Sequence, residues 1–230
     1  ELESYTDTPD EIKEGDLDEN IARRLIHGYY ACVSYIDFCL GLILAELDRL
    51  KLRENTVIVL WGDHGWKLGE HGAWAKHTNF EVDTKVPLII DVPGMKAEGQ
   101  KSEALVELVD IYPTLCDLCG LPKPDNLEGW SFAPLTNDAD KEWKKAIFSQ
   151  YPRRRNNADT LIMGNAMRTH RYRYVEWVHV KSGEVKAREL YDRQKDPQEN
   201  INVIDDTAYA DAAKEMASML KKGWKGALPQ

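Results

Sequence analysis

The densest run of chemically capable side chains lies between Trp61 and His77: Trp61-Gly62-Asp63-His64-Gly65-Trp66-Lys67-Leu68-Gly69-Glu70-His71-Gly72-Ala73-Trp74-Ala75-Lys76-His77. A carboxylate and an imidazole at consecutive positions, Asp63 and His64, can both reach one cation if the backbone turns sharply there. Gly62 and Gly65 on either side permit such a turn and the close approach of a ligand. The competing reading is a strand-end turn with a solvated Asp and a capping His, and the pair alone does not separate the two.

The run follows Thr56-Val57-Ile58-Val59-Leu60-Trp61, a short β-branched stretch of the kind that forms a strand covered on both faces. In an open α/β sheet, ligands bind beyond the carboxyl ends of strands, which is where Asp63 and His64 fall. Before the strand, apolar residues from Ile21 to Leu47 recur at helical spacing, predicting a helix over about Asp18 to Leu52, with Asp16 or Asp18 as cap and Glu19 in its first turn. Val86 to Val92 is a second strand-like run, stopped by Pro93-Gly94, and Val109 to Leu121 a second helix. Helix, strand, strand and helix in this order predict α/β layering around a mainly parallel sheet. After Pro134 the texture shifts to short alternating segments, Lys141–Tyr151, Leu161–Arg168, Arg171–Val180 and Ala187–Tyr191. Turns at Thr169-His170-Arg171 and Ser182-Gly183 separate them, so a small antiparallel sheet is expected, closed by a helix from Thr207 to Lys222. The expected division is residues 1–135, an α/β piece, and 136–230, a smaller α+β piece.

Composition narrows the function classes. With 30 Lys+Arg against 39 Asp+Glu in 230 residues, the net charge is −9, the wrong sign for a general nucleic-acid binder. The longest apolar run, Phe38 to Ala45, is interrupted by Gly41 and falls short of the ~18 residues of a membrane span, so neither nucleic acid nor membrane is an expected partner. Cys32 and Cys39 are spaced to share a helical face, and Cys116 and Cys119 read as small buried residues rather than a redox or zinc pair. The chain opens Glu1-Leu2-Glu3-Ser4, without an initiator Met or a signal segment, which leads to the expectation that it is the back part of a longer polypeptide.

Asp63-His64-Gly65, Leu68-Gly69-Glu70-His71-Gly72 and Trp74-Ala75-Lys76 together resemble the metal-and-lysine segment of the type I sulfatases, most closely the iduronate-sulfatase-like branch. Tyr29 to Ser34, Val86-Pro87-Leu88-Ile89, Ser149-Gln150-Tyr151-Pro152-Arg153, Met163-Gly164, Met167-Arg168-Thr169, Tyr172-Arg173-Tyr174 and Glu189-Leu190-Tyr191 through Asp196-Pro197 are similar to that branch too, in order across residues 19–204. The resemblance implies part of an alkaline-phosphatase-like α/β/α sandwich followed by a small antiparallel-sheet α+β subdomain. It implies hydrolysis of sulfate esters, of a sulfated uronic acid or polysaccharide, by a formylglycine nucleophile. Asp63 and His64 become two ligands of a divalent cation, calcium first, with zinc or manganese open because imidazole suits them. Lys76 becomes the residue that contacts the sulfate and stabilises charge developing in S–O cleavage.

No Cys/Ser-x-Pro-x-Arg sequence, the source of formylglycine, occurs in these 230 residues. Two ligands also fall short of the six to eight oxygens calcium takes. The expected partners are therefore a sulfated carbohydrate and an N-terminal half of the same enzyme, on this polypeptide or another chain, and the chain alone is expected to be inactive. Family habit implies export to the periplasm or medium, or a lysosomal location.

Weaker candidates surround this core. Trp66 offers a face to a sugar or packs the loop, and His71 and His77 donate to sulfate or leaving oxygens or make structural hydrogen bonds. Arg153, first of Arg153-Arg154-Arg155, either reaches a uronate carboxylate or belongs to a solvated basic loop. Alternatives to a sulfatase are a metal-dependent phosphodiesterase or phosphonate monoester hydrolase of the same superfamily, and a non-catalytic module that binds sulfated glycans.

Overall fold

The protein is described by a computed structural model covering residues 17–153 and 161–229. Helix α1 (Glu19–Arg49) starts where the Asp18 side chain accepts the Asn20 N–H at 2.9 Å, one of the donors a helix start otherwise leaves open. It carries apolar side chains on most of its circumference and buries none of them; Tyr30, Tyr35, Phe38 and Ile43 are each about 60% exposed. By length and composition alone this helix is long and apolar enough to cross a membrane, even though the sequence holds no long unbroken apolar run.

Strand β1 (Ile58–Trp61) pairs with β4 (Leu88–Asp91), and between them lie the two-residue strands β2 (Lys67–Leu68) and β3 (Trp74–Ala75) and a single helical turn, α2 (Glu81–Thr84). The β1–β4 pairing is antiparallel, Val59 opposite Ile90 and Trp61 opposite Leu88, which corrects the expected parallel arrangement. An apolar run reports how much of a strand is covered but carries no sign of its direction. Nor are both faces covered: Val59, Leu88 and Ile90 pack against a core of Ile111, Phe132, Leu135 and Trp143, whereas Ile89 on the opposite face is 59% exposed.

Helix α3 (Ile111–Leu118) follows a 3-10 turn that opens with a reciprocal capping box between Glu107 and Asp110. Cys116 on it is buried, but Cys119, which caps its end, is exposed, so only one of the two expected buried cysteines is so; all four cysteines are free thiols.

Strands β5 (Ile147–Arg153), β6 (Ile162–Arg168), β7 (Tyr172–His179) and β8 (Val185–Asp192) form an antiparallel meander in that order. Phe148, Met167, Tyr174 and Leu190 stand in one cross-strand row, and helix α4 (Ala210–Lys222) packs on that row through Met216. Because side chains alternate along a strand, Tyr151, Arg153, Arg168, Arg173, Trp177 and Tyr191 all lie on the other face. That face supports the loop between β1 and β4.

Two buried polar clusters fasten the pieces on either side of residue 135. Lys144 Nζ, 4% exposed, bonds Asp110 at 2.7 Å and Glu107 at 2.7 Å. Arg173 and Glu199, 2% and 1% exposed, pair at 2.7 Å, and Arg173 also holds Glu81 of α2.

Candidate active site

Asp63 and His64 stand in the turn that leaves β1, where Gly62 N–H is held by Pro87 O at 3.1 Å and Gly65 N–H by Asp83 O at 2.8 Å. A Cβ at Gly65 would lie 1.9 Å from Val82 O, so only glycine fits this close crossing of two backbone segments. His64 Nδ1 lies 2.9 Å from the carbonyl oxygen of Gly65. A proton on Nδ1 donates there and leaves Nε2 as a lone-pair donor. His64 Nε2 is 3.3 Å from Asp63 Oδ2 and 2.7 Å from Lys76 Nζ. The carboxylate, imidazole and ammonium thus converge at one point, with the Asp63 side chain open to solvent and that of His64 30% exposed.

Lys76 follows β3. The residues on either side of it, Ala75 (φ 68°) and His77 (φ 86°), are both in the left-handed region. Non-glycine residues reach that region at a cost on the order of 1–3 kcal/mol each and stay there only where the surroundings hold them. The hold here is visible: Lys67, paired with Ala75 across the hairpin, is fully buried and bonds Asp83 Oδ2 at 2.5 Å. Thr78 Oγ1 donates to the same oxygen. Removing either charge would strand the other in a dry interior, at a cost of about 3–5 kcal/mol.

The flanking aromatic rings stack on neighbouring rings. Trp66 lies between Tyr29 of α1 and His64, its ring 6.3 Å from one and 6.1 Å from the other, near-parallel to both. His71, itself at φ 57°, stacks on Phe80 at 3.8 Å, and His77 on Tyr151 of β5 at 5.5 Å. The Arg153 guanidinium sits 4.5 Å above the Trp177 ring. Arg154 and Arg155 lie outside the described residues.

The loop is anchored on the sheet beyond Lys76. Asn79 Nδ2 donates to Gly164 O at 3.0 Å, and a Cβ at Gly164 would come within 2.5 Å of that nitrogen. Glu81 meets Arg173, Arg168 at 3.3 Å and Arg193 at 3.0 Å. Burial by itself would raise the Glu81 carboxyl, but Arg173, Arg168 and Arg193 outweigh it and hold the group below its ordinary value. Sequence reasoning missed Lys67, Asp83, Asn79 and Glu81. Each reads as a surface residue of a polar loop, and no spacing distinguishes a lysine whose ammonium is buried.

The donor set suits a divalent cation in part. Asp63 offers an anionic oxygen and His64 an imidazole nitrogen beside it, the same nitrogen that Lys76 Nζ approaches at 2.7 Å, while no group of three or more His, Cys, Asp or Glu gathers among the described residues.

Residues 69–225 match the family described as N-sulphoglucosamine sulphohydrolase, C-terminal, and residues 2–121 match the family described as sulfatase. The chain belongs to the sulfatase family. Iduronate 2-sulfatase of Mus musculus is 34% identical to this sulfatase chain, over 85% of the chain and 46% of the relative. A structure solved in complex with its substrate D-glucosamine-2-N,6-O-disulfate superposes with a TM-score of 0.74 at 28% identity, covering 85% of this chain and 39% of that one. The phosphonate monoester hydrolase of Agrobacterium radiobacter also superposes with a TM-score of 0.74 at 28% identity, covering 84% and 40%. The fold is therefore the α/β fold of the alkaline-phosphatase-like sulfatases. This sulfatase chain spans about half the length of the iduronate 2-sulfatases it matches.

Proposed function

We propose that these residues are the C-terminal portion of an enzyme that hydrolyses sulfate esters of a sulfated uronic acid or polysaccharide, exported or lysosomal in location. The observation that carries this reading is the meeting of Lys76 Nζ, His64 Nε2 and Asp63 Oδ2 at one solvent-facing point. In this reading the Lys76 ammonium faces the sulfate oxygens and favours the charge that builds on them as the S–O bond breaks. A fixed cation contributes most where it needs no reorganisation during the reaction. Asp63 and His64 would hold a divalent cation, calcium in preference to zinc or manganese, which when bound adds positive charge against the same oxygens. His64 is oriented for this by its Nδ1 contact with Gly65 O, as imidazole ligands commonly are by their second nitrogen.

The nucleophile, formylglycine, and the remaining cation ligands would come from chain N-terminal to these residues. The apolar surface of α1 and the open face of β1 and β4 at Ile89 support that partner, since contiguous exposed apolar surface marks an interface. Nucleic acid and membrane have no part in this reading. Tyr29 of α1 stacks on Trp66, which stacks in turn on His64, and this supports an interface that includes α1.

A second reading, phosphonate monoester hydrolysis, is favoured by the likeness to the Agrobacterium radiobacter enzyme. Assay of the full-length enzyme on a 2-sulfated uronate disaccharide and on a phenyl phosphonate separates the two. Turnover of the sulfate ester, lost in Lys76→Ala, supports the sulfatase. Turnover of the phosphonate alone, with zinc or manganese bound, overturns it.

A further inference from the structure

The Lys67–Asp83 pair has no place in the chemistry above, yet it joins the segments that carry it. We infer that Asp83, through Lys67 and Thr78, is the positioning residue that sets Lys76 against His64. This rests on the reading of Lys76 as the sulfate-facing cation.

The β2–β3 hairpin that presents Lys76 has only two residue pairs, Lys67 with Ala75 and Leu68 with Trp74. Two such pairs cannot by themselves keep Ala75 and His77 in left-handed conformations. Asp83 supplies the missing constraint at three points of the chain. Its main-chain oxygen takes the Gly65 N–H, one residue after His64, at 2.8 Å. Its Oδ2 takes Lys67 Nζ, opposite Ala75, at 2.5 Å, and also Thr78 Oγ1, two residues after Lys76. Asp83 itself is 5% exposed and belongs to α2, whose first residue, Glu81, is clamped to the four-stranded sheet by arginines. The line of support runs from sheet to α2, from α2 to Asp83, and from Asp83 to both ends of the segment bearing Lys76. Pairing of two buried charges also fixes direction, which apolar contact at the same place would not.

A residue that acts only through Lys76 has nothing to contribute once Lys76 is gone, and a double-mutant cycle reads this directly. In the full-length enzyme, with 4-nitrophenyl sulfate as the probe, the set is the parent, Lys67→Met/Asp83→Leu, Lys76→Ala, and the three changes combined. Replacing both charges by apolar groups of similar size keeps a buried site folded in many cases, and the thermal midpoint checks it. The expected result is a kcat lowered about 10- to 100-fold in Lys67→Met/Asp83→Leu, as a displacement near 1 Å of a catalytic group produces, with KM little changed. The combined variant should be no slower than Lys76→Ala. A combined variant slower by the full product of the two losses would overturn the inference, as would a parental kcat in Lys67→Met/Asp83→Leu. If Lys76→Ala keeps parental activity, it is the reading of Lys76 that fails, and the positioning role falls with it. Should the paired change not fold, Thr78→Val serves instead: it removes one tie, and its smaller loss must likewise vanish in the Lys76→Ala background.

Discussion

Lys76 Nζ lies 2.7 Å from His64 Nε2 although the two residues are twelve positions apart and sit on different sides of a hairpin. That contact turns a sequence resemblance into a geometric arrangement whose members can be removed one at a time.

In the full-length enzyme, Lys76→Ala should lower kcat on a sulfate ester by about 10²–10³-fold and leave KM nearly unchanged, because a preorganised charge acts mainly in the transition state. Steady-state kinetics on a 2-sulfated uronate disaccharide are the measurement. A rise in KM with constant kcat would mean that Lys76 binds substrate without stabilising the transition state.

Metal content should respond differently at the two adjacent residues. Asp63→Asn removes a formal negative charge from a site that must offset a divalent cation, and should lose metal most. His64→Asn should be mild with calcium, which accepts an amide oxygen, and severe with zinc or manganese, which favour imidazole. Elemental analysis of both purified variants beside the parent decides it.

The isolated 230-residue chain should hydrolyse neither aryl sulfate nor uronate sulfate above background, lacking a formylglycine source among its residues. It should also bind a dye sensitive to apolar surface, since Tyr30, Tyr35, Phe38 and Ile43 of α1 are uncovered. Addition of the N-terminal half should quench the dye signal and restore turnover. Turnover by the isolated chain that disappears in Lys76→Ala would show that it needs no such partner.

Acid should loosen the attachment of α2 to the sheet. Glu81 titrates below its ordinary value of 4.5 in the folded chain. A group whose pKa is depressed by folding stabilises the fold above the unfolded value, and that contribution is lost as pH falls through the folded one. The thermal midpoint should therefore drop as pH is lowered below about 4.5, and Glu81→Gln should flatten this part of the profile while lowering the midpoint at pH 7. A parallel profile in Glu81→Gln would show that other carboxylates dominate the acid limb.

Gly65→Ala should destabilise by about 1–3 kcal/mol or more, the range for forcing atoms into a filled site, because its Cβ would collide with the Val82 carbonyl. Denaturant melts measure the loss. An unchanged midpoint would mean that the crossing at Val82 relaxes freely.

Much of this protein is decided within short stretches of chain, and there sequence reading is reliable. The periodicity from Ile21 to Leu47 specifies α1, and alternating residues with turns at Thr169-His170-Arg171 and Ser182-Gly183 specify β6 to β8, because backbone preference and side-chain alternation are local properties. The order of motifs around Asp63, His64 and Lys76 identifies the sulfatase family for the same reason. Strand direction was not legible, since Val59 and Ile90 are equally apolar in either orientation and only their pairing makes β1 and β4 antiparallel. Nor was the fate of the polar residues. Lys67 and Asp83 lie 16 positions apart and Glu81 and Arg173 92 apart, and a charge is buried or solvated according to what folds against it. Sequence by itself determined which groups are available for chemistry. Tertiary structure alone decided that a buried lysine and aspartate hold one of them in place.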